Sequence, residues 1–469
     1  MVGKYSAVCA VCLSPISHLF SSSTGYRFPP RGWSRLMKPL AVVFLQQRNN
    51  KHSVAALAGA LESVEDRLGL TVWFARPRQV IERLSQAAAI HRRVVLAWSF
   101  HTPDVLSVAP AFRDIRQQAA ANRWPLLGLA GGAHPSGDPA GTLRLGFDYV
   151  LRGEAEAGLP HFLAAHAAGG ELRGTPGLAW VDNGEYRQNR RPRPVNLDHY
   201  PPFAARHGLF APIEISRGCP CHCGYCQTPA LLGRRMRHRS LDKIVHHAEV
   251  MRRHGLTDLR FVSTNAFAWG SADGHTPNPA GIEALLKALG GIFDKGRIYF
   301  GSFPSEVRPD SVTPELAVMV RRLAGNDNVV IGAQSGSDRM LERLRRGHNV
   351  AQVVRAVEIL RAVGFRVYVD FIFALPGERE DDRRLTRSLM RCVSDLGAIV
   401  HGHTFLPLPG TPLNRAKPGR VDLETRQLAL ELAGTGRLCG HWRQQEELAV
   451  RLEQFFRGQS PATSTGDDL

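Results

Sequence analysis

Lysine is nearly missing from this chain: only seven of its 59 basic residues are lysine, and 52 are arginine. With 42 acids the formal net charge is +17. A total that high suggests an anionic partner such as RNA. Nucleic-acid binding needs a patch, however, and the arginines are spread along the chain as a general compositional preference would leave them. The densest local group is Arg234, Arg235, Arg237, His238 and Arg239, and RNA stands as the less favoured partner. No run reaches the roughly 18 apolar residues of a membrane span. Eight cysteines in 469 residues are too few for a disulfide-stapled scaffold. Acids are absent from residues 1–36, which carry Lys4, Arg27, Arg31 and Arg35. An apolar stretch over 7–13, broken by Pro15, has a weak signal- or transit-peptide character. Met37 stands just before the first strand, so 1–36 reads as a disordered or spurious extension. The apolar content of 43% over this length supports two or three domains with cores of their own.

Half of the few cysteines sit together, in Cys219-Pro220-Cys221-His222-Cys223-Gly224-Tyr225-Cys226. A short apolar run over 212–216 precedes them, and Arg217-Gly218 make the turn. Cys219, Cys223 and Cys226 stand in C-x3-C-x2-C spacing. Three thiolates on one tight loop can bind three irons of a [4Fe-4S] cube and leave the fourth open to a small ligand. Zinc is the alternative, but zinc sites usually need two ligand pairs on a longer loop, and no second C-x2-C exists. Cys9, Cys12, Cys392 and Cys439 are far off in sequence. Cys221 is expected to point away and is given no role. The spacing, with Tyr225 before the last cysteine, resembles the signature of the radical S-adenosylmethionine (SAM) superfamily. That resemblance implies SAM on the open iron, reductive cleavage to a 5′-deoxyadenosyl radical, and an electron donor such as flavodoxin or ferredoxin. An oxygen-labile cluster with reduced thiols implies a cytoplasmic location.

Upstream, strands and helices alternate. Strands are expected over 40–45, 71–75, 94–98, 125–130 and 147–151. Helices are expected over 54–68, 80–89 and 105–122, with another opening at 153–156. Five strands and their crossovers predict an α/β fold, a doubly wound parallel sheet whose ligands sit beyond the carboxyl ends of the strands. The order of elements, the glycine-rich 131–136 loop and Gly153-Glu154-Ala155-Glu156 resemble the cobalamin-binding domain that precedes many radical SAM domains. The resemblance implies corrinoid contacts at Gly131, Gly132 and His134. One departure is plain: no D-x-H-x-x-G follows the first strand, where the chain reads Gln46-Gln47-Arg48-Asn49-Asn50. Cobalt without a protein histidine is the expectation, and His52 reads as a helix-start residue.

Residues 167–211 read as a linker with a small hairpin around Asp182-Asn183-Gly184 and proline-rich extended stretches. From 212 to 412 alternation resumes, with strands over 213–216, 259–263, 297–303, 329–334, 366–373 and 401–406. Helices over 241–254, 281–293, 314–323, 350–363 and 382–396 lie between them. Six units fit the partial (βα)6 barrel of radical SAM enzymes, whose chemistry sits at the carboxyl ends of the strands. Polar residues at those ends, Ser302, Glu306, Arg308, Gln334, Ser335 and Asp370, together with Tyr225, are candidates to bind SAM. Turn chemistry and helix capping compete for each. Helices over 423–438 and 442–457 should cover the barrel's open side, and 460–469 reads as a disordered tail. The expected division is 1–36 extension, 37–166 B12-binding Rossmann-like domain, 167–211 linker, 212–412 barrel, 413–459 helices, 460–469 tail.

The combination implies a cobalamin-dependent radical SAM enzyme, a methyltransferase acting on an unactivated carbon of a small-molecule substrate. Corrinoid-independent radical modification of RNA or another substrate is one alternative. A non-enzymatic, metal-stabilised nucleic-acid-binding protein is the other.

Overall fold

The computed structural model describes residues 38–459. The expected extension, Met37 and the tail therefore lie outside the described residues. The apolar run Leu40–Leu45 forms β1, every residue of it buried. Beside it lie β2 (Leu70–Ala75), β3 (Val94–Ser99), β4 (Leu126–Gly131) and β5 (Tyr149–Leu151), all parallel, in the order β2-β1-β3-β4-β5. Strands covered on both faces read as continuous apolar runs, which is why alternation is missing from them. Helices Val80–Ile90 and Val105–Ala121 pack one face, Lys51–Glu62 and Gly158–Ala168 the other. The chain reverses its winding between β1 and β3, so the loops after those two strands flank the switch point.

The hairpin in the linker does more than the sequence suggests. Its strands β6 (Leu178–Asp182) and β7 (Glu185–Gln188) extend the first sheet to seven strands, with β6 antiparallel to β5. The helix expected over 54–68 ends at Glu62 and restarts as Glu65–Leu68, stopped by Gly69 in the left-handed region at φ 55°.

The second half forms a partial barrel of parallel strands. These are β8 (Ile213–Glu214), β11 (Leu259–Val262), β12 (Ile298–Tyr299), β13 (Asn328–Gln334), β14 (Arg366–Phe373) and β15 (Ile399–Thr404). A two-residue pair, β9 (Ser216–Arg217) with β10 (Arg237–His238), brackets the cysteine loop. Six strand–helix units are present, as expected. The third strand is shorter than expected, because Gly301 turns at φ 71° and the Phe300 amide donates to Asn326. Only Val307 rejoins the wall, bridging Ile331. The helix expected over 423–438 ends at Gly434, and β16 (Leu438–Cys439) adds a further parallel strand beside β15. The last helix, Trp442–Gln459, packs Trp442 on Phe373 in the barrel and buries Ala449 and Leu452 in the first sheet's core. No helix among the described residues is long and apolar enough to cross a membrane.

The two halves are joined by a buried ion network. Arg217, two residues before Cys219, reaches Glu154 (3.1 Å) and Glu156 (2.6 Å), which follow β5, and also Glu214 (2.6 Å). Arg237 engages the other side of Glu154, and the Val195 amide donates to it as well. Arg239, 2% exposed, donates to the Glu214 and Tyr200 carbonyls. Arg237 and Arg239 of the densest basic group are thus structural, while Arg234 and Arg235 are exposed. Burial alone would raise the Glu154 carboxyl, but Arg237 and Arg217 hold it below its ordinary value. The stability it contributes is therefore present above the ordinary carboxylate range and is lost as pH falls through the lowered value. Glu154→Ala leaves Arg237 without a carboxylate, while Arg217 keeps Glu156 and Glu214, and should cost about 3 kcal/mol, read as a lowered melting temperature; Glu154→Gln should cost less.

Candidate functional site

One cavity runs between the carboxyl edge of the first sheet and the mouth of the barrel. On the sheet side it is lined by His52, Ser99, Gly131 and Gly132, and on the barrel side by the four cysteines of the motif, Glu306, Arg308 and Arg346.

The cysteine loop is held from several sides. Gly218 turns it at φ 92°, and a side chain there would meet the Arg235 carbonyl at 2.4 Å, so only glycine fits. The Cys219 amide donates to the Gly233 carbonyl and the Gly224 amide to Leu344, while the Gly224 carbonyl accepts from the Leu413 amide. Cys221, Cys223 and Cys226 are buried and Cys219 is half-buried. Two buried arginines face the thiols. Arg308 Nη1 is 2.9 Å from Cys221 Sγ and Arg346 Nη1 is 3.5 Å from Cys223 Sγ. The Thr228 amide donates to Cys226 Sγ at 3.4 Å. Fixed cations and N–H donors offset the negative charge of a thiolate-bound cluster; without one, hydrogen bonding with Cys221, then burial, holds the Cys223 thiol well above its ordinary value despite Arg346. Cys221 does not point away as expected. It lines the cavity beside Arg308, with its thiol pushed up to about 11, chiefly by hydrogen bonding with Cys219.

Among the described residues, three ligand atoms within 4.8 Å of one another come together at Asp370, His401 and His403, on adjacent strands β14 and β15. His401 Nδ1 is 2.7 Å from Asp370 and 3.2 Å from His403 Nε2. The Gln445 carbonyl oxygen is taken by the Thr404 amide, which turns its NH2 toward His403 Nδ1 at 3.4 Å. A metal-bound histidine donates its second N–H to an acceptor; a donor in that place fits a hydrogen-bonded proton network better than an ion site. Glu306 lies next to this triple, and burial first, then the Asp370 charge, raises its carboxyl.

The remaining candidates divide. Gly131, Gly132, Glu306 and Arg308 line the cavity with the cysteines. Tyr225 is buried behind the loop with Leu344 and Phe405. His134 packs between Phe100 and Phe456, its Nδ1 3.2 Å from the Thr102 hydroxyl, off the cavity wall. Ser335 meets Thr386 and the Ser337 amide, a turn-and-cap role. Gln334 is buried at φ 71° next to Gly332, and Ser302 is buried at the loop after β12. Sequence reasoning missed Arg346 and the docking role of Arg217, while His52 falls in the first turn of its helix as expected. Arg345-Arg346-Gly347-His348 after the fourth strand was the readable signal for Arg346.

Changing Cys219, Cys223 or Cys226 to Ala should abolish an anaerobically reconstituted cluster of about four irons, and Cys221→Ala should keep it. Iron and sulfide analysis reads the result. Arg346→Met removes a cation beside Cys223, so the cluster's midpoint potential should move to a more negative value in a spectroelectrochemical titration.

Residues 213–390 match the radical SAM superfamily. An uncharacterized protein of Methanopyrus kandleri is 24% identical over 64% of this chain and 65% of its own length. A tRNA-2-methylthio-N(6)-dimethylallyladenosine synthase of Leptothrix cholodnii is 29% identical over 47% of this chain and 46% of its own. The chain spans less than two thirds of the length of these curated relatives. Among solved structures, the radical SAM methyltransferase TsrM from Kitasatospora setae, with cobalamin and a [4Fe-4S] cluster bound, superposes at TM-score 0.61. Identity is 17%, over 85% of this chain and 79% of that one. The cobalamin-dependent radical SAM enzyme OxsB gives 0.60 at 16% identity, over 75% of this chain and 51% of that one. A radical SAM domain implies a [4Fe-4S] cluster and SAM, which the three-cysteine loop fits. Residues 213–390 form a radical SAM domain, and the chain shares the fold of TsrM and OxsB.

Proposed function

We propose that the chain is a cobalamin-dependent methyltransferase acting on an unactivated carbon of a small-molecule substrate. The observation that carries this reading is the single cavity shared by the switch-point edge of the first sheet and the cysteine loop. Residues 37–166 would hold the corrinoid and 212–412 the cluster and SAM, with a flavodoxin or ferredoxin as electron donor. When bound, the cluster would supply the electron that cleaves SAM, and the corrinoid would carry the methyl group.

The residues present fit a corrinoid. Gly132 lies at φ 93°, where a side chain would meet the Phe100 amide at 3.0 Å, so the backbone itself forms this part of the wall. Phe44, Ala56, Leu57, Ala97, Leu129 and Leu159 add apolar lining to the same cavity, which suits the largely apolar faces of a corrinoid. On the barrel side Glu306 and Arg308 would orient SAM, and Arg308 and Arg346 would balance cluster charge. Closure between two halves excludes water from a radical reaction.

The tRNA-modifying relatives favour a second reading, radical modification of RNA without a corrinoid. Against it, Arg237 and Arg239 are committed inside the protein and cannot form a phosphate-binding patch.

Gly131 is the position for a test. Its φ is ordinary, and an added Cβ meets only the Leu151 carbonyl at 3.5 Å. Gly131→Trp should therefore block corrinoid uptake without backbone strain and leave the iron content unchanged, read by absorbance after loading with hydroxocobalamin. Turnover should yield S-adenosylhomocysteine together with 5′-deoxyadenosine. Failure of the wild-type chain to bind any corrinoid would remove the methyltransferase reading. tRNA binding at ~150 mM salt should be weak and without preference, since non-specific binding comes from counterion release; tight binding to one RNA would promote the second reading.

A further inference from the structure

The cysteine loop is tied to the first domain at both of its ends. At its start, Arg217, two residues before Cys219, holds Glu154 and Glu156. At its finish the tie is Gln227, the residue directly after Cys226. The Gln227 side chain is buried and forms part of the cavity wall. Its Nε2 donates to the Pro409 carbonyl at 2.8 Å and to the Ala133 carbonyl at 3.4 Å. Ala133 directly follows Gly132 in the glycine-rich loop of the first sheet, and Pro409 lies in the loop after β15. One amide therefore joins three loops from distant parts of the chain.

The surroundings of this amide are close and directional. A side chain at Gly137, at the end of the short helix Ala133–Gly137, would meet the Pro409 carbonyl at 2.4 Å, so the two loops touch backbone to backbone. The β15 loop then returns to the cysteines, where the Leu413 amide donates to the Gly224 carbonyl. Next to Gln227, the Thr228 amide donates to Cys226 Sγ, and the Gln227 carbonyl accepts from the Leu231 amide. The backbone of Gln227 is thus fixed with the last cysteine, and its side chain with the loop of the first sheet. Both side-chain partners are carbonyls, which accept and never donate. The NH2 group must face them, and each of its two hydrogens has one taker. A carboxylate of the same shape has no hydrogen to give and is repelled by both. An apolar side chain leaves both bonds unmade inside the protein.

We propose that Gln227 is a positioning residue that fixes the cluster side of the cavity against the corrinoid side. This rests on the corrinoid reading above. Arg217 alone would leave the far end of the cysteine loop free to swing about one anchor; a second tie beyond the last ligand removes that freedom. Gln227 acts through the loops that carry Cys226 and Gly132, and not on the substrate itself. The consequence is one fixed separation between the two groups. Radical formation and methyl delivery at a single carbon both need that, because reacting partners must be held in register.

The test uses the full chain with its cluster, loaded with hydroxocobalamin and poised so that cobalt is Co(II) and the cluster either oxidised or reduced. A reduced, paramagnetic cluster speeds the spin relaxation of Co(II), an effect that falls steeply with distance and is read by EPR power saturation. The wild-type chain should show one uniform enhancement. Gln227→Glu and Gln227→Leu should keep their iron and their corrinoid, with an enhancement several-fold weaker or spread over a range. Thr313→Ala removes a helix cap elsewhere in the barrel. It should lower the melting temperature and leave the enhancement as in the wild type, which separates positioning from loss of stability. Gln227 variants that match the wild type overturn the assignment and leave the corrinoid reading standing. So does a wild-type chain that holds both groups without enhancement. Loss of iron from both variants overturns the assignment too, because the residue would then build the loop and not place it. If the wild-type chain takes up no corrinoid, the reading and the assignment both fall.

Discussion

Arg217 is the residue on which the arrangement of the site depends. It belongs to the barrel, two positions before the first cluster cysteine, yet two of its three carboxylate partners come from the first sheet. A fully buried cation cannot stand alone, and its acids cannot either. The two halves must therefore meet in one register for either to keep its charges satisfied. The same register sets the distance from the switch-point edge to the cysteine loop. An apolar interface of similar area would tolerate sliding; a set of directional ion pairs does not. The last helix adds apolar weight to this docking, with Trp442 on the barrel and Leu452 in the first sheet's core.

The cavity so formed carries Arg308 and Arg346 against the thiols and Glu306 on its wall. Asp370, His401 and His403 gather next to Glu306, off the cavity wall. The cationic side fits an anionic cluster. The acidic and imidazole side holds Asp370 ionised through its histidine hydrogen bonds and keeps Glu306 near the point of protonation. Such an arrangement suits a ligand with a cationic and a hydrogen-bonding end, which the methionyl part of SAM has.

Most of the fold was legible because it rests on runs and periods. β1 and β14 fall on the expected residues, since strands buried on both faces must be apolar throughout. The helix Pro314–Leu323 also falls as expected, with Thr313 capping it and proline at its first position. What failed was what depends on partners distant in sequence. β16 is two residues long and exists only because β15 offers an edge. Cys221 looked idle by spacing, but Arg308, 87 residues away, draws it inward. His134 sat in the right loop, yet Phe100 and Phe456 take it into the core. Ser335 and Gln334 illustrate the opposite case, polar strand-end residues consumed by turn geometry rather than by a ligand.

The arginine excess finds part of its explanation in the same terms. Lysine offers a point charge, whereas a guanidinium can bridge several acceptors in a plane. Arg217 bridges three carboxylates, and Arg339 joins Asp382 to the Gly377 carbonyl. Arg387 collects Glu380, Asp422 and Glu424. Positive charge used this way is neutralised locally, but ion pairing leaves the formal total of +17 unchanged. The excess is carried by arginines outside these networks, the exposed Arg234 and Arg235 among them, so the total by itself says little about the partner. The informative charges are the few aimed into the cavity.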